Sequence, residues 1–274
     1  MHLRKDVQLE NRRQSPDFIE ALARGIEVIR SFDANNRQLT LSEIAVRCDL
    51  PRPTVRRNLI TLEELGYVVQ IDGRYSLTPR ILSLGMAAVA SNGLWEMAKP
   101  HLRRLVEKTH ESSSMAQLDG IDIVYVARVA VPKIIALRVD IGTKFPAPIT
   151  SQGKVLLADL DEADLDETLS MESRCDVVKW QLSTSPKIKE ELALVRTRGW
   201  ALADEELAPG VRSIAVPVRD LHGRVKAAMN VTVNASETSI LTLVDDYLPF
   251  LLKAASDVSA DWSAWQSRPI IQSK

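Results

Sequence analysis

The sequence predicts an α+β fold in two domains, a small helical module closed by a hairpin and a larger unit built on an antiparallel sheet. Three observations carry that prediction. The chain has 274 residues, more than one typical domain of about 100 to 150 residues uses. Its first 80 residues alternate helical periodicity with strong turn signals and end in two short strand patterns. From residue 112 onward, strand patterns are joined by short turns instead of regular helical crossovers, which favours a sheet of five or six strands with helices against it.

Hydrophobic residues make up 45% and charged residues 26%, with 11 Gly and 13 Pro; this excludes collagen-like and low-complexity chains. Cys48 and Cys175 lie far apart, and no secretory apolar region follows Met1-His2-Leu3-Arg4-Lys5, so a reduced cytoplasm is the expected compartment. The longest uncharged stretch, Ile81 to Trp95, falls short of the ~20 apolar residues of a membrane span, and no membrane partner is expected.

Residues 1–16 mix charged and amide side chains without apolar period and read as a disordered arm. From Asp17, an expected N-cap, Phe18, Leu22, Ile26 and Ile29 follow the 3.6-residue period and predict a first helix. Thr40-Leu-Ser-Glu43 is a capping box, in which the Thr40 hydroxyl accepts from the Glu43 amide and the Glu43 carboxylate from the Thr40 amide. It opens a second helix from Leu41 to Cys48. Asp49-Leu50-Pro51 ends that helix, because a residue before proline is pushed out of the α region. Pro53 suits the first turn of a third helix, whose Val55, Leu59 and Leu62 share one face. Cys48, with no Cys or His at metal-ligand spacing, is expected as a buried small hydrophobe. Gly66 is the expected end of the third helix. Tyr67 to Ile71 and Arg74 to Leu77 then flank Asp72-Gly73, the dipeptide of a type I′ two-residue turn. Helix, short helix, tight turn, basic helix and hairpin in this order make a winged helix-turn-helix over residues 17–80.

Thr54, Arg57 and Thr61 share the face opposite the aliphatic stripe, with Arg56 beside them. Arg52, Arg56 and Arg57 hold the only charges between Asp49 and Glu63. Arginine bonds bidentately to guanine O6 and N7 or to phosphate, and a threonine hydroxyl or methyl reaches base edges. Arg74 lies on the wing, placed for the DNA backbone. The same charges also fit a solvated helix face, and the net charge of −1 does not decide between the two readings.

Residues 81–94 link the domains. Ile81 to Asn92 reads as an apolar helix that needs a partner surface, in a bundle within one chain or as a self-dimer arm; its place between domains favours the arm. In the second domain, residues 95–274, a helix is expected after Pro100 through Leu102, Leu105 and Val106. Strands are expected over Ser112 to Leu118, Ile121 to Val129 and Ile134 to Ile141, followed by a loop over 142–148. Thr150 caps a helix reaching Asp159, the acidic run from Asp161 to Glu167 reads as a solvated helix start, and Pro186 to Arg198 is helical. Ser213 to Arg219 and Val225 to Val233 are two further strands, and a last helix opens at Ser236 and passes Leu252, bent at Pro249.

The stretches Leu50-Pro-Arg-Pro-Thr-Val-Arg-Arg57, Leu62-Glu-Glu-Leu-Gly-Tyr67, Gly73-Arg-Tyr-Ser-Leu-Thr-Pro79, Ser151-Gln-Gly-Lys-Val-Leu-Leu-Ala158 and Asp204-Glu-Glu-Leu-Ala-Pro-Gly-Val-Arg-Ser-Ile-Ala-Val-Pro217 give the chain, over nearly its whole length, a resemblance to the IclR family of bacterial transcriptional regulators. Ser112-Ser-Ser-Met-Ala-Gln-Leu-Asp-Gly120, Ile123-Val-Tyr-Val-Ala-Arg128 and Ile141-Gly-Thr-Lys-Phe-Pro146 look most similar to the β-ketoadipate-pathway regulators of that family, the Pca and PobR type. The resemblance implies a winged helix-turn-helix, a linker helix used in dimerisation and a GAF-like domain. That domain would bind a small aromatic or dicarboxylic acid and change affinity for a double-stranded operator, in a homodimer or tetramer. By position it places effector contacts at Ser151 and Gln152, near Ser213, and at Asn230 and Thr232. Where some relatives carry an acid just before the Asp204-Glu-Glu run, this chain has Ala203.

The residues themselves add further candidates. Thr150 and Ser151 lie at a helix N-terminus, where unpaired amides and the helix dipole favour a carboxylate, although simple N-capping explains Thr150 equally. Asn230 and Thr232 share a strand face, able to bond a ligand, satisfy a turn or face solvent. Arg128 and Arg138 are candidates to pair an aromatic carboxylate, with Asp122 and Asp140 as the alternative partners. Tyr125, out of phase with Val124 and Val126, lines the pocket or packs in the core. No enzyme is expected. The four histidines, His2, His101, His110 and His222, sit in no HExxH or CxxC setting, and neither a glycine-rich phosphate loop nor a GxSxG elbow is present. No catalytic residue, metal or cofactor is therefore expected. The alternatives are a regulator of another small-acid pathway and a winged helix that serves protein contacts without specific DNA binding.

Overall fold

A computed structural model describes residues 17–33, 36–85, 93–132, 139–175 and 185–267. The chain divides into two compact units, Met1–Ser91 and Asn92–Lys274.

In the first unit, α1 (Glu20–Arg30), β1 (Leu39–Thr40), α2 (Leu41–Cys48), α3 (Arg52–Glu64), β2 (Val68–Ile71) and β3 (Arg74–Leu77) occur in order. Val28, Ile44, Val55 and Leu59 are fully buried between the helices, and Leu39, Val68 and Tyr75 close the core from the small sheet. Both halves of the capping box form: the Thr40 hydroxyl accepts from the Glu43 amide at 3.3 Å, and the Glu43 carboxylate accepts from the Thr40 amide at 2.7 Å. Asp49, left-handed at φ 52°, turns the chain toward α3. Gly66, at φ 76°, ends α3 in a Schellman motif, with Tyr67 N donating to Leu62 O and Gly66 N to Glu63 O. Asp72 and Gly73 have φ of 50° and 76°, the type I′ turn that matches the twist of paired strands.

Three local expectations need correction. β1, only two residues long, pairs Leu39 with Tyr75 and makes the sheet three-stranded; so short a strand has no legible period. α1 starts at Glu20 with Ile19 at the N-cap position and no side-chain cap, so Asp17 does not cap it. Its apolar residues fall on two sides. Val28 enters the core and Ile29 packs partly against it, while Phe18, Leu22 and Ile26 are exposed within this unit. Cys48 is half-buried, and its thiol donates to Glu27 O at 3.4 Å; burial pushes that thiol up. After β3, a 3-10 turn spans Pro79–Ile81 and residues 82–85 are helical. Residues 86–92 of the expected linker helix lie outside the described residues.

The second unit contains α4 (Leu94–Thr109), β4 (Ser112–Asp119), β5 (Asp122–Val129), β6 (Lys144–Pro146), α5 (Ser151–Ala158), α6 (Glu162–Ser170), α7 (Ser185–Arg198), β7 (Ala201–Asp204), β8 (Val211–Arg219), β9 (Val225–Asn234) and α8 (Leu248–Gln266). The six strands pair antiparallel in the order β6-β5-β4-β9-β8-β7. Strand alternation sorts the faces. Met115, Ile214, Val216, Met229, Val231 and Val233 pack with Leu102, Leu251 and Val258 of α4 and α8, whereas Ala116, Tyr125, Ala215 and Ala228 pack with Leu156, Leu157 and Leu192 of α5 and α7.

Several boundaries differ from the sequence pattern for identifiable reasons. α4 begins at Leu94 and carries Pro100 inside it, so the proline tolerated there does not mark its start. β6 lies in the segment expected as loop; it is a three-residue edge strand ending in proline, and edge positions need no N–H from that residue. Residues 133–138 of the expected third strand lie outside the described residues, and 139–141 are not strand. β7 adds a four-residue edge strand that the pattern does not signal. The last helical run opens at Ile240, not Ser236: Ser239 Oγ accepts from Thr242 N, while Ser236 N donates to Asn234 Oδ1 in a turn. A π-helical stretch, Thr242–Tyr247, precedes α8, where Pro249 occupies the first turn. Among the described residues, no helix is long and apolar enough to cross a membrane.

Candidate nucleic-acid interface and ligand pocket

On α3 the aliphatic stripe is buried and the opposite side is charged. Val55, Leu59 and Leu62 enter the core, while Arg52, Arg56, Arg57 and Thr61 are exposed and Thr54 is half-buried. Thr61 Oγ1 donates to Arg57 O at 3.1 Å, which leaves its oxygen lone pairs and methyl available to an outside partner. None of the described ion pairs involves Arg52, Arg56 or Arg57. Arg74 is differently placed: its Nη1 donates to Gln38 O at 3.4 Å and lies 3.5 Å from the Glu43 carboxylate, so the wing arginine is braced against the start of α2. The Thr40 amide and hydroxyl, with Arg74 adding to them, hold the Glu43 carboxyl below its ordinary range.

In the second unit, a pocket with about 500 Å³ of atom-free space, part of it open to solvent, lies on the α5 side of the sheet. Tyr125, Arg128, Thr150, Ser151, Gln152, Ser213, Asn230 and Thr232 all line it. Arg138 is outside the described residues. Ala203, Leu207 and Val211 complete one wall.

A bulge assembles the two β5 residues. Pure alternation sets residues three apart on opposite faces of a strand, yet Tyr125 and Arg128 line the same pocket. The β4–β5 register steps from Met115 opposite Ala127 to Ala116 opposite Tyr125, so Val126 is the extra residue and re-aims the side chains C-terminal to it. Val126 and Ala127 both enter the core on the α4 side. Tyr125 is also packed edge-on against Phe145 at 6.0 Å, and burial raises its phenol to about 12, with the Arg128 charge opposing.

Ser114, given no ligand role in the sequence analysis, is where the pocket's polar groups meet. Its Oγ accepts from Arg128 Nη1 at 3.2 Å, its amide donates to Asn230 Oδ1 at 3.1 Å, and its carbonyl accepts from Gln152 Nε2 at 3.2 Å. The signal was the small polar run at the start of β4, which alone fits many roles. Asn230 Nδ2 in turn donates to Thr232 Oγ1 at 2.9 Å, and the Ser151 and Ser213 hydroxyls bond each other at 2.7 Å. Arg128 pairs with neither expected carboxylate. Asp122 is held by Ser173 Oγ and Arg174 N, and Asp140 acts on Arg128 only as a nearby charge. Burial lowers the Arg128 pKa, with Tyr125 and Asp140 opposing, and the guanidinium stays charged.

α5 brings its N-terminus to this pocket. The Thr150 hydroxyl accepts from the Gly153 amide at 3.0 Å, which is the N-cap expected, while the Ser151 and Gln152 amides precede the first intrahelical bond. Lys154, given no role of its own in the sequence analysis, is buried one turn later. Its ammonium donates to Glu191 and Glu206 at 2.6 Å each and to Leu202 O at 3.3 Å, using all three protons. It thereby ties α5 to α7 and to the β7–β8 connection that contributes Leu207 to the pocket wall. No cluster of three or more His, Cys, Asp or Glu able to hold a metal ion exists among the described residues.

A winged helix-turn-helix with an uncompensated arginine stripe, joined in one chain to a unit with a pocket lined by arginine, tyrosine, amide and hydroxyl side chains, defines a DNA-binding regulator with a sensory domain. Residues 86–260 match the model of the bacterial transcriptional regulator IclR C-terminal domain, and residues 21–72 match the IclR helix-turn-helix domain. The chain is 41% identical over 251 residues to the Pca regulon regulatory protein of Pseudomonas putida, covering 89% of this chain and 84% of that one. It is 30% identical over 250 residues to the p-hydroxybenzoate hydroxylase transcriptional activator of Acinetobacter baylyi, covering 89% and 92%. A crystal structure of an IclR homologue from Microbacterium hydrocarbonoxydans, complexed with 4-hydroxybenzoate, superposes with a TM-score of 0.76 at 25% identity, over 89% of this chain and 99% of that one. The chain belongs to the IclR family of bacterial transcriptional regulators.

Proposed function

We propose that the protein is a cytoplasmic, acid-responsive regulator of genes for aromatic-acid catabolism of the β-ketoadipate type. Residues 17–80 read an operator, residues 81–94 link and dimerise, and residues 95–274 act as a GAF-like sensor. In a homodimer or a tetramer of such pairs, two α3 helices enter successive major grooves of a pseudo-palindrome. Arg52, Thr54, Arg56, Arg57 and Thr61 face the groove, and Arg74 lies at the flanking backbone. A small aromatic or dicarboxylic acid occupies the pocket against Tyr125, Arg128, Thr150, Ser151, Gln152, Ser213, Asn230 and Thr232, with Arg138 as a further candidate, and shifts the balance between conformations of differing operator affinity.

One observation carries the reading: Arg128 is a half-buried cation in the pocket whose hydrogen bond goes to a neutral hydroxyl, Ser114 Oγ. A guanidinium so placed favours a carboxylate. Relatives named for Pca and p-hydroxybenzoate regulation and a neighbour with 4-hydroxybenzoate bound support the ligand class. The test is fluorescence anisotropy on the DNA upstream of the protein's own gene, with and without protocatechuate, 4-hydroxybenzoate and β-ketoadipate. A change in affinity with one acid is expected, with a log–log salt slope of about −0.9 per phosphate contact. Specific binding indifferent to all three acids removes the aromatic-catabolism reading, and no salt-dependent DNA binding removes the regulator mechanism.

A further inference from the structure

The β7–β8 connection, residues 205–210, closes one wall of the pocket with Leu207, between Ala203 of β7 and Val211 of β8. Its two ends reverse the backbone sharply. Glu205 is left-handed at φ 58° and Gly210 at φ 76°, and the first of these conformations is strained for a residue with a side chain. The Glu205 carboxylate turns back on the connection itself and accepts from Gly210 N at 2.7 Å. Among the described residues, the side chain that hydrogen-bonds residues 205–209 to the body of the unit is that of Glu206, whose Oε1 accepts from Lys154 Nζ at 2.6 Å. Lys154 is 2% exposed, whereas the side chains of Glu206 and Glu191 reach the surface at 37% and 41%. Glu191 is carried on α7, whose Leu192 and Val195 are buried in the core. The double pairing makes one carboxylate dispensable. A buried ammonium with a single partner is left uncompensated when that partner moves away, which is a costly state. Lys154 keeps Glu191 and the Leu202 carbonyl, so Glu206 can leave while the cation stays paired.

We infer that residues 205–210 form a flap over the pocket, that Lys154 and Glu206 are its latch, and that Glu191 is the resident counter-charge that lets the latch open. This rests on the reading of the pocket as the effector site, and it adds to that site a control on entry and release. With the latch closed, Leu207 completes the wall and shields a bound acid from water. With it open, the Glu206 carboxylate, already partly in solvent, exchanges the ammonium for water, and the left-handed residues at the two ends of the flap take up the motion. Lys154 is then a positioning residue. It does not line the pocket, and it acts on the acid through the placement of Leu207.

Hydrogen–deuterium exchange on the ligand-free full chain tests the latch independently of the acid. Its reporters are the amides of Glu205, Gly210 and Val211, which bond Val211 O, the Glu205 carboxylate and Ala208 O. Glu206→Gln replaces a charge-assisted bond with a neutral one, and these amides are expected to exchange about tenfold faster while those of β9 keep their rates. Glu191→Gln leaves Glu206 as the one carboxylate on a buried cation, and the same amides are expected to exchange no faster than in the parent chain. Unchanged exchange in Glu206→Gln, acceleration that β9 shares, or equal acceleration in both variants makes Lys154 a packing strut and overturns the proposal. Stopped-flow mixing with protocatechuate, 4-hydroxybenzoate and β-ketoadipate tests the gate: the acid that binds is expected to leave Glu206→Gln about tenfold faster than the parent. An equal dissociation rate overturns the gate. If none of the three binds, the aromatic-acid reading falls, while the exchange result still decides the latch. Where Glu191→Gln does not fold, Glu206→Gln decides alone, with β9 as its internal reference.

Discussion

Gly153→Ala puts the construction of the pocket under direct stress. Gly153 sits in the first turn of α5, directly after Ser151 and Gln152, and packs on the 3-10 turn Ala147–Ile149. A Cβ built on Gly153 would stand 2.1 Å from Ala147 O and 2.3 Å from Ala147 Cα. Both are backbone atoms, so no side-chain rotation relieves the clash, and α5 and the turn must part by more than an ångström to reach ordinary contact. Overpacking of a tight core costs about 1 to 3 kcal/mol, and a backbone clash belongs at or above the upper end. Alanine's better helix propensity returns at most about 1 kcal/mol. A net loss of about 2 to 3 kcal/mol in the second unit corresponds to roughly 4 to 12 °C in Tm for a domain of this size. Calorimetry of the full chain should show the transition of the second unit lowered by that amount while that of the first unit stays in place. Isothermal titration should show weakened acid binding, because the displaced turn carries Ser151 and Gln152. A variant within about 1 °C of the parent, with unchanged acid affinity, would refute the close-packing argument.

Five other substitutions probe the two units. Arg57→Ala should cost about 1 to 3 kcal/mol on the operator and relax base preference, whereas Arg74→Ala should weaken all sequences alike and reduce the salt slope by about one; equal losses on specific and random DNA for both variants would reject that division. Thr40→Ala removes the N-cap of α2 and should destabilise the first unit by about 1 kcal/mol in urea titration. Because the Glu43 carboxyl is held below its ordinary range in the fold, its contribution is complete above the unfolded-state value and is lost as pH falls through the folded one. Glu43→Gln should therefore flatten the acid limb of the first unit's stability curve, and an unchanged limb would dismiss the capping account. Arg128→Met should weaken acid binding about 10- to 100-fold, the worth of a charged hydrogen bond. It should leave Tm unchanged or raised, since the described ion pairs of the fold do not include Arg128; a large drop in Tm would make that arginine structural.

Much of the first unit was legible because its signals are local. The Thr40 capping box, the Asp49-Leu50-Pro51 break, Gly66 and Asp72-Gly73 each prescribe a backbone conformation within four residues, and each forms where the pattern puts it. Helix α1 was half legible: its 3.6-residue period holds, but the period does not tell which of two apolar stripes the unit buries. In the second unit the two-residue alternation of β9 places Asn230 and Thr232 together, as expected. It fails for β5, where the extra residue Val126 is a property of pairing with β4 and leaves no mark in the sequence of either strand. Ser114 and Lys154 were illegible for a related reason. Their roles depend on partners 14 to 116 residues away, which only the assembled sheet and helices bring near.

The central claim is that acid binding in the pocket and operator binding at α3 share one free energy. Linkage makes that claim symmetric: the factor by which the acid changes operator affinity must equal the factor by which the operator changes acid affinity. The decisive measurement is that pair of factors on the unmodified chain, operator affinity by anisotropy with and without saturating acid, and acid affinity by calorimetry with and without saturating operator. The expected result is one matching factor of about 5 to 150, abolished by Arg128→Met. An acid that calorimetry shows bound, with operator affinity unchanged, would contradict the account.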